Sequence, residues 1–435
     1  MSLFDLPMGP ADPSDGVSGM YYTKVEPTQA ISTGAAFGSQ NVEFIIQPAV
    51  NEWLVPSRSY FRLRVKVEGK NGDDSDYISI GATKGTTSTT IRENTFPAFG
   101  LCARLFNTCK FSIGGQAISA VNNNLPQVDA IHKRTTLSRT QLESSEGLYQ
   151  ALAADRKKQF LGEDAASVTT TTSELTWQPP LGIHDVPHAL PASKFQWSFT
   201  ANPNFVRDSL DGGDAVEIPT DNSATSGRVS VESMVLYACF VSGRAADDEK
   251  YSLNLKQFSA QTQQMSKANQ SLQLKTFDVS QDTSALAFAL QTTSNENKYG
   301  GKGLFRMSGT EQNKIARWYL QYDNKQYPAE QSEDFRDTTS NLMTQRWRDT
   351  QSQTGMYFSP GGPETEFDWL YKRGGYYYVN WPRTQSSATR VQANVQLSSG
   401  PVPTDDYDLL LFSLKSEAYL VRSGDGRVRK IEAAE

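Results

Sequence analysis

Cysteine is nearly absent: Cys102, Cys109 and Cys239 are the only three in 435 residues. An odd number with no C-x-x-C pair excludes a disulfide framework and a thiolate metal knuckle. It is read as buried free thiols in a reducing compartment. Histidine is as sparse, with only His132, His184 and His188, so imidazole acid–base chemistry and histidine-rich metal centres have little to draw on. The sequence contains no apolar run of the length that spans a bilayer, about 18 residues. Its N-terminal MSLFDLPMGPADPSDG has neither the basic start nor the apolar stretch of a signal peptide, so the chain is expected to be cytosolic at synthesis. Surplus positive charge is missing too. Lys and Arg total 42 against 48 Asp and Glu, a net charge of −6, which leaves no broad basic field for a nucleic acid or an anionic membrane.

What the chain does hold is the chemistry of strands and turns. It carries 31 Gly and 20 Pro with abundant Ser, Thr, Asn and Gln, and its length allows two or three domains with large cores. Residues 1–40 are broken by Pro7, Pro10, Pro13 and Pro27 and set Lys24 against Asp5, Asp12, Asp15 and Glu26. They read as a flexible arm that contacts protein rather than genome. From Val42 the pattern turns to period two. Phe61, Leu63, Val65 and Val67 alternate with Arg62, Arg64, Lys66 and Glu68, which is a strand with one buried and one wet face. Further strands are predicted at 42–47, 109–113, 116–121, 194–200 and 229–241. Gly114-Gly115 reads as a tight hairpin turn, because glycine accepts the positive φ such turns need. Helices are predicted at 128–137, opened by Pro126, and at 140–160, where Leu142, Leu148, Leu152 and Phe160 share a face.

The polar run 242–250 and the Gln-, Ser- and Lys-rich stretch to about Asn269 read as a connector that a helix would suit, and they set a domain boundary. Strands are predicted again at 272–279, 285–291, 304–307, 316–322, 375–381, 388–397, 409–414, 418–421 and 427–431. The halves share an order of parts. One strand reaches Gly114-Gly115, returns, meets Leu125-Pro126 and enters a helix. Another, at 318–322, turns at Asp323-Asn324, meets Tyr327-Pro328 and enters a helix at 332–347. Gly114 and Asp323 lie 209 positions apart, about one domain, as a tandem duplication would place them. The expected organisation is an arm (1–40), a first jelly roll (41–242), a connector (243–270) and a second jelly roll with C-terminal strands (271–435). That is an all-β chain of two tandem eight-stranded jelly-roll sandwiches with short helices in long loops.

Four passages carry a family resemblance: WLVPSRSYFRLRVKV at 53–67, LFNTCKFSIGGQAI at 105–118, LPQVDA at 125–130, and LQYDNKQYP at 320–328 followed by Phe335. In this order and spacing the chain resembles the double jelly-roll major capsid proteins of tailless icosahedral viruses. That group contains adenovirus hexons, polinton-like viruses, virophages and membrane-containing phages. The resemblance covers about residues 40–431 and departs from the family pattern at 295–310, where a Gly- and Lys-rich loop stands. It implies a homotrimer with a pseudo-hexagonal footprint, a capsid lattice built from it, and penton and minor or cement proteins as neighbours. It also implies an internal membrane where the virion has one, a virion location after synthesis in host cytoplasm, and no specific nucleic-acid binding.

The remaining candidates for chemistry are thin. His184 and His188 stand four apart, which suits zinc on a helix, but Pro187 and Pro179-Pro180 oppose a helix and no Glu follows His184. His132, beside Lys133 and Arg134, reads as part of a solvated helix face. Gly300-Gly301-Lys302-Gly303 lacks the Ser or Thr of a phosphate loop, and the sequence has no G-x-S-x-G elbow. Asp247-Asp248-Glu249, Glu143 with Glu146, and Asp405-Asp406 read as solvated charges, although a glycosidase pair could assemble from distant strands. The run YKRGGYYYVNW at 371–381 mixes basic and aromatic residues as a single-strand binder would. Alternation instead puts Tyr376 and Tyr378 on one side of a strand and Tyr377 and Val379 on the other, filling a core or an interface. No catalytic, cofactor-binding or metal-binding residue is assigned, no cofactor is expected, and the chain is read as structural rather than enzymatic. The rival readings are a carbohydrate-binding or spike protein on the same sandwiches and a β-rich polysaccharide hydrolase.

Overall fold

The computed structural model describes residues 19–70, 77–80, 95–144, 148–149, 153–161, 172–211, 227–242, 250–266, 271–280, 282–292, 315–322, 325–327, 342–365, 375–381, 389–397, 407–422 and 426–431. Up to Ser242 the strands are β1 (Met20–Val25), β2 (Asn41–Ile46), β3 (Glu52–Leu54), β4 (Tyr60–Lys70), β5 (Tyr77–Ser79), β6 (Phe96–Pro97), β7 (Phe106–Ile113), β8 (Gln116–Val121), β9 (Ser173–Trp177), β10 (Phe195–Ala201), β11 (Leu210–Asp211) and β12 (Gly227–Ser242). From Lys250 they are β13 (Lys250–Met265), β14 (Gln273–Asp278), β15 (Thr283–Thr292), β16 (Ile315–Tyr322), β17 (Lys325–Tyr327), β18 (Tyr377–Asn380), β19 (Arg390–Leu397), β20 (Tyr407–Arg422) and β21 (Val428–Ile431). The helices are α1 (Leu101–Arg104), α2 (Leu125–Thr136), α3 (Arg139–Ser144), α4 (Ala153–Leu161), α5 (Phe205–Asp208) and α6 (Leu342–Thr354).

Pairing gives the same sandwich twice. In the first, β1, β12, β4 and β9 lie side by side, and β2, β10, β7 and β8 form the facing sheet. In the second, β13, β20, β15 and β18 repeat the first order and β14, β19, β16 and β17 the second. Each is an eight-stranded antiparallel jelly roll, with its longest helix inserted after the fifth of those eight strands, α2 after β8 and α6 after β17. The repeat of strand order is what the expected duplication of a β unit requires. Alternation fills the cores. Phe61, Leu63, Val65 and Val67 of β4 are fully buried while the residues between them reach solvent to varying degrees, and each such side chain contributes about 1.5–3 kcal/mol by area. Phe61 bridges the two sheets, with ring centroids 5.2 Å from Phe44 of β2 and 4.9 Å from Phe199 of β10. Phe288 and Trp318, 4.3 Å apart, do the same in the second sandwich. At the β7–β8 turn Gly114 and Gly115 have φ of 58° and 86°, the pair of positive values a two-residue turn of matching twist needs.

Several expectations need correction. The arm does not run to residue 40: Met20–Val25 pairs with Val241–Leu236 of β12, and Phe37 is fully buried. β1 is exposed along nearly its whole length, so backbone pairing holds it and no apolar stripe marked it. The connector is not helical from Lys250 onward, because that segment is β13, paired over 16 residues with β20. Only Tyr251, Leu253 and Leu255 alternate before the glutamine-rich stretch begins at Gln257, which hid the strand. The single helix at 140–160 is two, α3 and α4, with Leu148 between them at φ 64°. Strands expected apart at 409–414 and 418–421 are one, β20. The expected elements at 304–307 and 332–341, the turn at Asp323-Asn324, Gly300 to Gly303, Asp247 to Glu249, Glu146 and Asp405-Asp406 lie outside the described residues.

Candidate functional site

The two sandwiches meet along a dense seam built around α2. Pro126 starts this helix, and Asn124 just before it adopts a left-handed φ of 53°, a conformation asparagine tolerates. Every residue from Leu125 to Thr135 except Pro126 is buried. A helix with Asp129, His132, Lys133 and Arg134 among those residues must satisfy their charges internally. Arg134 Nε lies 3.0 Å from both carboxylate oxygens of Glu364, with the two side chains 0% and 3% exposed. The Arg134 guanidinium also lies 4.6 Å from the centre of the Tyr376 ring, and the Tyr376 hydroxyl donates to the Arg134 carbonyl at 3.3 Å. Burial, then the Glu364 carboxylate, pushes the Tyr376 hydroxyl well above its usual range. Arg134 comes from the first sandwich and its partners from the second, so this cluster bolts one to the other. Trp177 Nε1 donates to Asp129 at 3.3 Å, and Gln127 Nε2 donates to Gln291 of β15 at 3.2 Å.

Backbones approach closely at two further points. A Cβ on Gly182 would stand 1.9 Å from the Lys256 carbonyl oxygen of β13, and one on Gly114 would stand 2.3 Å from the Gly426 carbonyl oxygen. No other residue fits either place without displacing main chain. Between them Gln257 Nε2 of β13 donates to the Ile118 carbonyl at 2.8 Å, and the Gly182 N–H donates to Ser119 Oγ at 3.0 Å. Glutamines also close an edge. Gln261 and Gln263 of β13 donate to the Asp278 and Thr276 carbonyls of β14 at 2.5 and 3.4 Å, and the Asp278 N–H donates back to Gln261 at 3.2 Å. Side-chain amides thus occupy backbone groups with which another chain could otherwise pair.

The three histidines do not meet. His132 is buried rather than solvated, a correction that follows from the seam covering α2 on all sides. Its Nε2–H donates to both Asp185 oxygens, at 3.2 and 3.0 Å, and its ring lies edge-on to Phe258. Burial acts to raise the Asp185 carboxyl, but His132, with smaller contributions from His184 and Lys133, outweighs it and holds the group below its usual range. His184 lies in a short 3-10 helix, Gly182–Asp185, and its Nδ1–H donates to the Pro56 carbonyl at 2.9 Å. His188 is half-buried on the loop that follows. Among the described residues no three His, Cys, Asp or Glu side chains gather as a metal-binding group, and no helix is long and apolar enough to cross a membrane. The three cysteines are buried and none is in a disulfide. Burial, then Asp129, pushes the Cys109 thiol up, away from a reactive thiolate. Glu143 pairs with Arg139 at 3.0 Å along α3. Tyr376, Tyr377 and Tyr378 are all buried, packed rather than presented to a ligand. Arg134, Glu364 and Gly182 are what sequence reasoning missed. Only the glycine itself, in PPLGIHD, offered a signal.

No protein-family model matches the sequence, and no curated protein matches it. Solved structures match in three dimensions. A chain of the Sputnik virophage, determined by electron cryo-microscopy, aligns with a TM-score of 0.58 at 13% identity over 96% of this chain and 90% of that one. A chain of the PBCV-1 virus capsid aligns at 0.57 and 12%, over 96% and 97%. The mavirus major capsid protein aligns at 0.55 and 10%, over 96% and 91%. At such identities the likeness is one of fold. The chain is a double jelly roll of the kind these capsid structures share, as the resemblance in the sequence implied.

Proposed function

We propose that this chain is the major capsid protein of an icosahedral virus, a structural protein without catalytic activity. Its two jelly rolls, residues 20–242 and 250–431, form one building block that associates as a homotrimer with a pseudo-hexagonal footprint and tiles a shell. The observation that carries the reading is the fold match, which is nearly complete in both directions: the virus capsid chains contain little that this chain lacks. The seam supports it. A shell closes only if each subunit holds its two sandwiches at one angle, because small errors add up over a symmetric lattice. The bolted Arg134–Glu364 pair and the glycine contacts hold that angle. In this reading penton and minor capsid proteins, and a membrane beneath the shell where the virion has one, are its neighbours, and the virion capsid is its location after synthesis in host cytoplasm.

Electron microscopy and light scattering of the purified full chain test the proposal. The expected result is pseudo-hexagonal particles, or shells, with a mass three times the 48.1 kDa of one chain. A monomer that stays monomeric at every concentration overturns it.

A further inference from the structure

Phe358 is 80% exposed, more than any other large apolar side chain among the described residues. It ends a short 3-10 turn, Met356–Phe358, that follows α6. The loop carrying it is tied along its length. The Phe358 and Ser359 N–H groups donate to the Gly355 and Met356 carbonyls at 3.3 and 3.1 Å, and the Gly362 N–H donates to the Ser359 carbonyl at 3.0 Å. At its base the Arg139 N–H donates to the Gly362 carbonyl at 2.9 Å, and Trp347 Nε1 of α6 donates to the Glu364 carbonyl at 2.9 Å. The Tyr357 ring lies 5.2 Å from Phe358, with Trp347 a further 6.1 Å from Tyr357.

Single apolar side chains on a surface need no explanation. This one stands on a fixed loop, so binding through it would order little that is not ordered already. Its neighbours Met356, Tyr357 and Arg348, whose guanidinium lies 5.5 Å from the centre of the Tyr357 ring, are residue types that interfaces favour. Being exposed, Phe358 fills no hollow of its own chain. The chain nevertheless carries one that suits it. A hollow of about 570 Å³ lies between the Gly182–Asp185 turn and β13, walled by Val186, Pro187, Ala189, Leu190, Tyr251 and Leu253. A benzene ring fits a cavity of about 150 Å³, so a phenyl ring can enter with part of its loop. The rim carries Lys256 and Asp185, whose side chain is 34% exposed while it holds His132. Arg348, exposed beside the knob, brings the charge opposite to that of Asp185.

We infer that Phe358 of each chain enters the hollow beside Val186 and Leu253 of a second copy. Knob and hollow are different patches, so the contact runs head to tail and closes when it returns to the first chain, as in a ring of three. The inference rests on the homotrimer proposed above and names a contact that holds it together.

The test follows trimer dissociation of the full chain by sedimentation, on dilution and in urea. Phe358→Ser should weaken each contact by about thirtyfold or more, the scale of an interface hot spot, and Phe358→Leu by less. Ser252→Trp, at an exposed position on the rim, should fill the hollow and weaken the trimer to a similar degree. With Phe358→Ser and Ser252→Trp together, the loss should not exceed the larger single one, because a filled hollow leaves the knob nothing to lose. Should Ser252→Trp misfold, Asn254→Trp on the same rim takes its place. A trimer indifferent to Phe358→Ser overturns the inference and leaves the capsid reading standing, whereas a parent that is monomeric at every concentration overturns both. Losses that add in the double variant would seat the knob elsewhere and overturn the inference. Intact trimers that fail only in forming shells would do the same, since Phe358 would then join one trimer to the next.

Discussion

The first sandwich keeps one sheet face in water, whereas the second has a sheet covered on both. Along β4 the core residues alternate with Arg62, Arg64 and Lys66, and Arg62 and Arg64 reach Glu174 and Glu232 at 3.4 and 3.1 Å across the outer face. Along β15, Ala285, Leu286, Ala287, Phe288, Ala289 and Leu290 are all buried, and so are Leu409, Leu410, Leu411 and Phe412 of β20. One face of that sheet meets its own partner sheet. The other meets the seam, where Gln127 of α2 reaches Gln291 of β15. Aromatic residues fill both cores. The first stacks Trp177 on Phe106 and clusters Phe61, Phe111, Trp197 and Phe199, and the second clusters Phe288, Trp318 and Tyr377, while β15 sets alanines between its larger side chains, which lets layers approach from both sides. The two sandwiches share one strand order, and the seam sets what each can carry on its outer face.

The largest expected effect is in the strand interiors. Val65→Asp should prevent folding, because a buried unpaired carboxylate costs several kcal/mol, comparable to the stability of a domain. Arg64→Ser should fold with a change of under about 0.5 kcal/mol. On β15 no such distinction between neighbours should exist: Ala287→Asp and Phe288→Asp should both fail. Soluble yield and urea melting measure all four, and tolerance of Ala287→Asp would mean that the second sheet has a wet face after all.

Next is the seam. Glu364→Gln leaves the Arg134 guanidinium buried without its counter-ion, a loss of about 3–5 kcal/mol for a pair this enclosed. The parent should melt in one transition, and the variant in two, one for each sandwich. Calorimetry that finds a single transition in both proteins would mean that the sandwiches are held together elsewhere.

A smaller effect separates the edge strands. Deleting residues 1–30 removes β1 and its six-residue pairing with β12, and should lower the melting temperature of the first sandwich by several degrees. Particles should still form if the strand serves only to cap that edge. An unchanged melting curve would show that its pairing contributes nothing.

The smallest effect is one of pH and belongs to the second sandwich. Burial acts to raise the Glu417 carboxyl, but hydrogen bonds from Lys430 and Tyr419 and the charge of Lys415 outweigh it, so its pKa lies below the ordinary 4.5. The stability this contributes is complete above that value and is lost as pH falls through the lower folded-state one. Urea melts between pH 6 and 3 should show the loss in the parent and a flatter profile in Glu417→Gln, with the first sandwich unaffected by the substitution.

Much of this fold could be read from local pattern. The alternation at 61–67, the apolar runs at 285–290 and 409–412, the turn at Gly114-Gly115 and the helix opened by Pro126 are properties of neighbouring residues, and each depends on one nearby surface. They sufficed for two tandem jelly rolls and for the family they resemble. What only the tertiary structure decided lies where faces meet from distant parts of the chain. α2 reads as amphipathic with a wet side, yet Asp129, His132 and Arg134 are enclosed because a second sandwich covers that side. β13 reads as a polar connector, yet its glutamines serve the seam and the β14 edge, where hydrogen bonding rather than hydrophobicity holds a strand in place. Periodicity reports whether a side chain leaves water, and it is blind to a polar group that leaves water together with its partner from 230 positions away, as Arg134 does with Glu364.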